Sequence, residues 1–225
     1  MLTVLLDHTD FVVINKPANV HFHSQDGNAG VVAQLSQQLN CALYPVHRLD
    51  TMTSGVLLIA KSSEAAAHLA SQFAEQSTSK IYIALAMGKP KKKQGLIQGD
   101  MVKARRSQWK LTTGKQNPAV TQFFSQSVAP KLRCYLLKPH TGKTHQLRVM
   151  MKSLGCAIVG DSLYGKASHD RGYLHAWQLS FSYHNQPFRV VAPIEVTNDQ
   201  SLFALDTIKQ QMQLWLDEPP KWPSL

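Results

Sequence analysis

At 225 residues with 44% hydrophobic side chains, the chain is long enough for one large domain or two small ones and too apolar to be disordered. Its 24 Lys and Arg against 14 Asp and Glu give a formal net charge of +10. That excess suits a polyanionic partner, although a basic surface by itself fits an ordinary soluble protein equally well. The 3 cysteines show no C-x-x-C spacing, which points away from a disulfide framework and a zinc site. With no long apolar run and no signal-like apolar core at residues 1–14, the expectation is a cytoplasmic protein.

In chain order, residues 1–6 and 11–15 read as short strands around a polar turn. Residues 30–39 place Val31, Leu35 and Leu39 at helical spacing, and residues 56–61 form an apolar run typical of a buried strand. Residues 64–75 bring Ala65, Leu69 and Phe73 onto one helix face, with Ser63 as the N-cap. The strand at residues 80–87 has a core face of Ile81, Ile83, Leu85 and Met87. Its other face carries Tyr82, Ala84 and Ala86, an aromatic beside two small residues. Residues 88–99 carry Lys89, Lys91, Lys92 and Lys93 and read as an exposed hairpin or loop.

Further strands are expected at residues 119–126 and 132–138, and a helix at residues 144–154 ended by Gly155. Residues 174–182 and 188–191 close the strand set. A last amphipathic helix follows at residues 202–216, then a tail with three prolines. This irregular alternation favours an α+β fold with a mixed, largely antiparallel sheet over a doubly wound parallel one. Without an internal repeat or a linker, one domain over residues 1–225 is the simpler reading.

Several familiar patterns fail on inspection. Gly142-Lys143-Thr144 lacks the upstream glycine of a phosphate-binding loop, since Leu137 stands there. Met52 replaces the first glycine of a nucleophile elbow at Ser54, and no zinc-deaminase spacing occurs. Neither metal nor nucleotide chemistry is therefore expected.

Polar residues instead concentrate in three segments. The first is Asn15-Lys16-Pro17 with His23. The second runs from Pro45 through His47-Arg48-Leu49-Asp50 to Gly55, directly into the apolar strand. The third is His140 to Arg148, opening a helix. Taken alone, Asp50 beside small hydroxyl residues reads more readily as a turn former than as a catalyst.

Together the segments carry a resemblance. His47-Arg48-Leu49-Asp50, with Thr53-Ser54-Gly55 and an aliphatic strand ending Ala60-Lys61, resembles the active-site motif of RluA-type pseudouridine synthases. Asn15-Lys16-Pro17 with His23 is similar to that family's N-terminal motif. Lys80-Ile81-Tyr82-Ile83-Ala84 is similar to its tyrosine-bearing strand, and Gly142-Lys143-Thr144-His145-Gln146-Leu147-Arg148-Val149 to its arginine motif. Gly160-Asp161-Ser162-Leu163-Tyr164-Gly165 and Leu174-His175-Ala176 continue the likeness, which spans residues 7–188 in the family's order. Asn19, Lys143 and Met150 depart from the family's usual glycine, arginine and histidine.

The resemblance implies a pseudouridine-synthase-like catalytic domain, a curved sheet with flanking helices around a central cleft. The catalytic domain is expected to begin at residue 1, without an S4-like RNA-binding domain in front, and the helix and tail at residues 199–225 carry no resemblance. It also implies a cofactor-free isomerase acting on a uridine in structured RNA, ribosomal or transfer; a monomer is the default expectation.

Asp50 is then the catalytic group, as nucleophile or as base, with Arg148 as its charge partner. Tyr82 becomes the surface that receives a flipped uridine, with Ala84 and Ala86 leaving room for the base. Leu147 packs against the base, and His47 and Arg48 shape the Asp50 loop. Arg48, Lys16, Lys143 and Thr144 are the candidate RNA contacts. The lysines at residues 89–93, and Lys103, Arg105 and Arg106 beside Trp109, would suit the RNA backbone. A different class of reading is a non-catalytic RNA-binding or RNA-folding module on the same scaffold. A glycosidic hydrolase is disfavoured because no second well-placed carboxylate accompanies Asp50.

Overall fold

The computed structural model describes residues 1–25, 27–165, 169–196 and 200–225. Its first half contains β1 (Thr3–Asp7), β2 (Phe11–Lys16), α1 (Val31–Leu39), β3 (Tyr44–Pro45), β4 (Ser54–Ala60), α2 (Ser63–Ala74) and β5 (Ser79–Met87). The second half contains β6 (Gln94–Lys103), β7 (Trp109–Leu111), β8 (Pro118–Ala129), β9 (Leu132–Pro139), α3 (Gln146–Ser153), β10 (Leu174–Tyr183), β11 (Gln186–Val191) and α4 (Asp206–Asp217). They form two compact units, Met1–Ile81 with His175–Ile194 and Tyr82–Leu174 with Glu195–Leu225.

In the first unit, β2 and β4 are buried along their whole length, as the apolar run of residues 56–61 predicts for β4. β4 pairs antiparallel with β2 and β3 and parallel with β10. A two-residue turn joins β10 to β11, with His184 and Asn185 both at positive φ, the backbone that suits a hairpin's twist. Phe11, Val13, Val56, Leu58, Leu69, Phe181 and Tyr183 share one core cluster, and the rings of Phe181 and Phe188 stack at 5.3 Å. The cap of α2 lies one residue earlier than expected: Ser62, not Ser63, accepts the Ala65 N–H.

The second unit is antiparallel among its described strands. Residues 82–87 of β5 pair with β9, β9 with β8, β8 with β6, and β6 with β7. Across both units the class is α+β with a largely antiparallel mixture, as the sequence indicates. β6 begins within residues 88–99, read as an exposed hairpin or loop, and β7 lies where no strand was expected. Gly95 and Gly99 interrupt the apolar alternation of β6, and Gly99 is required because an added Cβ would lie 2.1 Å from Thr112 O.

The turn joining β6 to β7 puts Arg106 and Ser107 at φ 56° and 58°. Neither is glycine, and each costs on the order of 1–2 kcal/mol there. The expected alternation of β5 also gives way. Ala84 and Ala86 are 0% exposed while Met87 is 45% exposed. The two alanines thus make room for other protein atoms and not for an open floor beside Tyr82.

α3 is buried from Gln146 to Met151, and Gly155 ends it at φ 79° as expected. The helix expected at residues 202–216 breaks at Leu205, whose ψ of 125° separates a short 3-10 turn from α4. The C-terminal tail docks on the same unit. Trp222 packs 5.2 Å from Phe124, and Lys138 lies 5.5 Å from the Trp222 ring. Among the described residues, no helix is long and apolar enough to cross a membrane.

Candidate active site

Asp50 lies on the loop between β3 and β4, and the first unit anchors that loop at several points. β3 leaves β4 after Pro45 opposite Ile59. Beyond that point the His47 ring takes over the strand's accepting role, with Nε2 receiving the Leu58 N–H at 3.0 Å. The ring stacks flat on Phe73 at 4.4 Å. Burial, and then the charge of Lys80, holds the His47 pKa down at about 3, so the ring is neutral with its proton on Nδ1.

On the far side of Asp50 the chain turns, with the Thr53 N–H donating to Asp50 O at 3.0 Å. Lys16 is 0% exposed. Its ammonium donates to Pro17 O at 2.9 Å, Thr51 O at 3.2 Å and Thr53 O at 2.9 Å. A buried ammonium on carbonyls of the turn positions the loop. Lys16, expected as an RNA contact, is thus enclosed by the protein's own backbone.

Ser54 closes the loop. His175 Nε2 faces the carbonyl of Ala192 at 3.1 Å and must donate to it. Its Nδ1 therefore accepts the Ser54 hydroxyl at 2.8 Å. Gly55 follows at φ 109°, and a Cβ there would lie 2.2 Å from Ala176 O, so only glycine lets β4 approach β10 at this point. Asp50 itself is half-buried and Arg48 is exposed. Neither Lys16, Ser54 nor His175 was expected to anchor the loop. Their presence in the quoted motifs was the signal available.

The second unit holds the other candidates. Gln146 saturates its amide at the head of α3. Its Oε1 accepts from Thr141 Oγ1 at 2.7 Å and Lys143 N at 3.1 Å. Its Nε2 donates to Val120 O at 3.1 Å and Thr121 Oγ1 at 3.0 Å. The loop before the helix is thereby tied to β8. Lys143 donates its ammonium to Asn117 O, and Thr144 is exposed. Leu147 is buried and Tyr82 half-buried.

Arg148 is not a solvated helix-face residue. Its Nε and Nη2 meet Asp161 Oδ2 and Oδ1, each at 2.8 Å. The same carboxylate accepts the Leu163 and Tyr164 N–H groups at 3.0 Å each. The Tyr164 ring lies 5.1 Å below the guanidinium. Asp161, to which the sequence assigned no role, thus holds Arg148 at two points. A guanidinium carries five N–H donors, so two of them on Asp161 do not exhaust it.

Comparison with known proteins places the chain in a family. The chain matches the family described as RNA pseudouridylate synthase over residues 10–153. It is 46% identical over 221 residues to an uncharacterized RNA pseudouridine synthase of Haemophilus influenzae, covering 97% of each chain. It is 32% identical over 251 residues to tRNA pseudouridine synthase C of Vibrio vulnificus, covering 100% of this chain and 97% of that one. A solved structure, human RNA Pseudouridylate Synthase Domain Containing 1, matches with a TM-score of 0.77 at 26% identity, over 98% of this chain and 96% of that chain. The chain therefore belongs to the RluA-type RNA pseudouridylate synthases and is an isomerase acting on RNA.

Proposed function

We propose that the chain converts one uridine of a structured RNA to pseudouridine, with Asp50 as the catalytic carboxylate. The observation that carries this reading is the anchoring of the Asp50 loop by Lys16, His47 and the Ser54–His175 pair. A loop fixed by buried hydrogen bonds on both sides of one carboxylate is suited to holding it within the narrow tolerance that a reaction needs.

In the reaction, the bond between the sugar C1′ and N1 of the base breaks and a bond between C1′ and C5 forms. The hydrogen on C5 leaves as a proton and N1 gains one, so no oxidant or phosphoryl donor is needed. Asp50 either attacks the sugar as a nucleophile or removes a sugar proton as a base, and both roles require it ionised. Arg148 and Tyr82 are the other proposed catalytic residues, with Tyr82 stacking on the flipped base while Leu147 packs beside it. Arg48, Lys143 and Thr144 are the proposed RNA contacts, with His47 and Lys16 shaping the loop. Transfer RNA is the first substrate to try, since a relative named for it aligns along nearly its whole length. Ribosomal RNA is the second.

The test is tritium release from RNA labelled at uridine C5, using RNA from a strain that lacks the gene. Asp50→Asn should release none while still binding RNA. Undiminished release overturns the role of Asp50. Binding without release by the native protein would identify a non-catalytic RNA-binding module instead.

A further inference from the structure

The hairpin formed by β6 and β7 and the buried Arg148 meet, within one unit, at a single turn. Residues 101–116 carry Lys103, Arg105, Arg106, Lys110 and Lys115 and no Asp or Glu. All five cations are exposed. The preceding carboxylate, Asp100, receives the Gln116 and Asn117 N–H groups at 3.1 and 2.9 Å, and so closes the backbone of this segment. At the tip, the Gln108 N–H bonds Arg105 O across Arg106 and Ser107, both in the left-handed region. Asn-Gly would make this turn with less strain. The chain places an arginine there, in an arm free of acids, which is the chemistry that recognises a phosphodiester backbone.

The arm is bolted down beside this tip. The Trp109 N–H donates to Tyr164 Oη at 2.9 Å, and Gln108 Nε2 donates to Leu163 O at 2.7 Å. His145 Nδ1, at the head of α3, lies 3.0 Å from the same Tyr164 oxygen. The Leu163 and Tyr164 amides bind Asp161, whose carboxylate grips Arg148 above the Tyr164 ring. One short turn therefore holds both the arm and the arginine.

We propose that the β6–β7 hairpin grips RNA phosphates, and that Tyr164 is the positioning residue that registers this grip on Arg148. The proposal rests on the reading of Arg148 as part of the catalytic centre. The two parts separate in their readouts. Affinity for bulk transfer RNA across a potassium chloride series reports the arm. The saturating single-turnover rate on C5-tritiated total RNA reports the registration.

Arg106→Gly should weaken RNA binding about fivefold and flatten the salt dependence by roughly 0.7–0.9 per lost charge. Its melting temperature should hold or rise, because glycine adopts the left-handed backbone freely. Tyr164→Phe keeps the ring but loses the hydroxyl. It should lower the saturating rate about tenfold with RNA affinity unchanged. Adding Arg106→Gly to it should then cost no further rate, since the two act through one link.

Gln108→Ala cuts the second tie without touching the core, and should reproduce the rate loss should Tyr164→Phe fold poorly. An Arg106→Gly protein that binds RNA as the native chain does, with the same salt slope, overturns the arm. Rate losses that multiply independently overturn the registration. Full activity in Arg148→Lys overturns the catalytic reading of Arg148 and the registration with it, and leaves the arm to be judged by its own binding data.

Discussion

Arg148 and Asp161 face each other through two parallel hydrogen bonds of 2.8 Å, with the carboxylate 0% exposed. Such a pair contributes little compared with well-packed apolar residues, but breaking one side leaves a buried charge alone. Asp161→Asn should therefore destabilise the protein by about 3–5 kcal/mol, lowering the melting temperature by roughly 10 °C. Urea unfolding measures this directly. A loss under about 1 kcal/mol would show that water already reaches the pair.

The Lys16 ammonium faces three backbone carbonyls. Lys16→Met fills the space but leaves those acceptors without their donor, at about 1–3 kcal/mol for each buried one. The expected signature is a large fall in turnover with RNA affinity retained, because the loop moves and no phosphate contact is lost. A fall in RNA affinity with turnover intact would return Lys16 to the RNA surface.

His47 titrates near 3 in the native protein, against an ordinary 6.5. Between those values the unfolded chain holds a proton that the native ring does not, so stability falls as pH drops from 6.5 towards 3. One such ring contributes at most about 1.4 kcal/mol per pH unit. Unfolding free energies at several pH values, compared with those of His47→Gln, isolate this slope. Equal slopes in the two proteins would contradict the burial of the ring.

Gly55 cannot carry a side chain, since a Cβ would meet Ala176 O at 2.2 Å on a backbone with φ 109°. Gly55→Ala should cost more than about 4 kcal/mol and fail to yield folded protein. Gly88→Ala shares the positive φ but meets nothing within 4 Å, and should cost only about 1 kcal/mol. Comparable soluble yields from the two would rule out the close approach of β4 to β10.

The sequence made the buried strands and the motif order legible because apolar runs and turn residues act locally. β4 and α3 fall close to their expected bounds for that reason. The extent of β6, and β7 altogether, stayed hidden because glycine and polar residues fill strands that only their neighbours define. At the site, Asp50 was visible through its motif. Asp161 was not assigned, since nothing local shows that a carboxylate thirteen residues downstream will meet a helix arginine. The two alanines of β5 were misread for a related reason: small residues invite close packing by protein as readily as by a base.

The seclusion of Lys16 has a practical consequence for chemistry on the intact protein. Amine-directed acylating reagents will label the exposed lysines of residues 89–93 and 103–115 within minutes, while an ammonium enclosed by carbonyls stays dark. Lys16 can react only when β2 and the neighbouring turn come apart. Its labelling time course is thus an internal clock for the opening of the first unit, readable by mass spectrometry on a protein carrying no substitution.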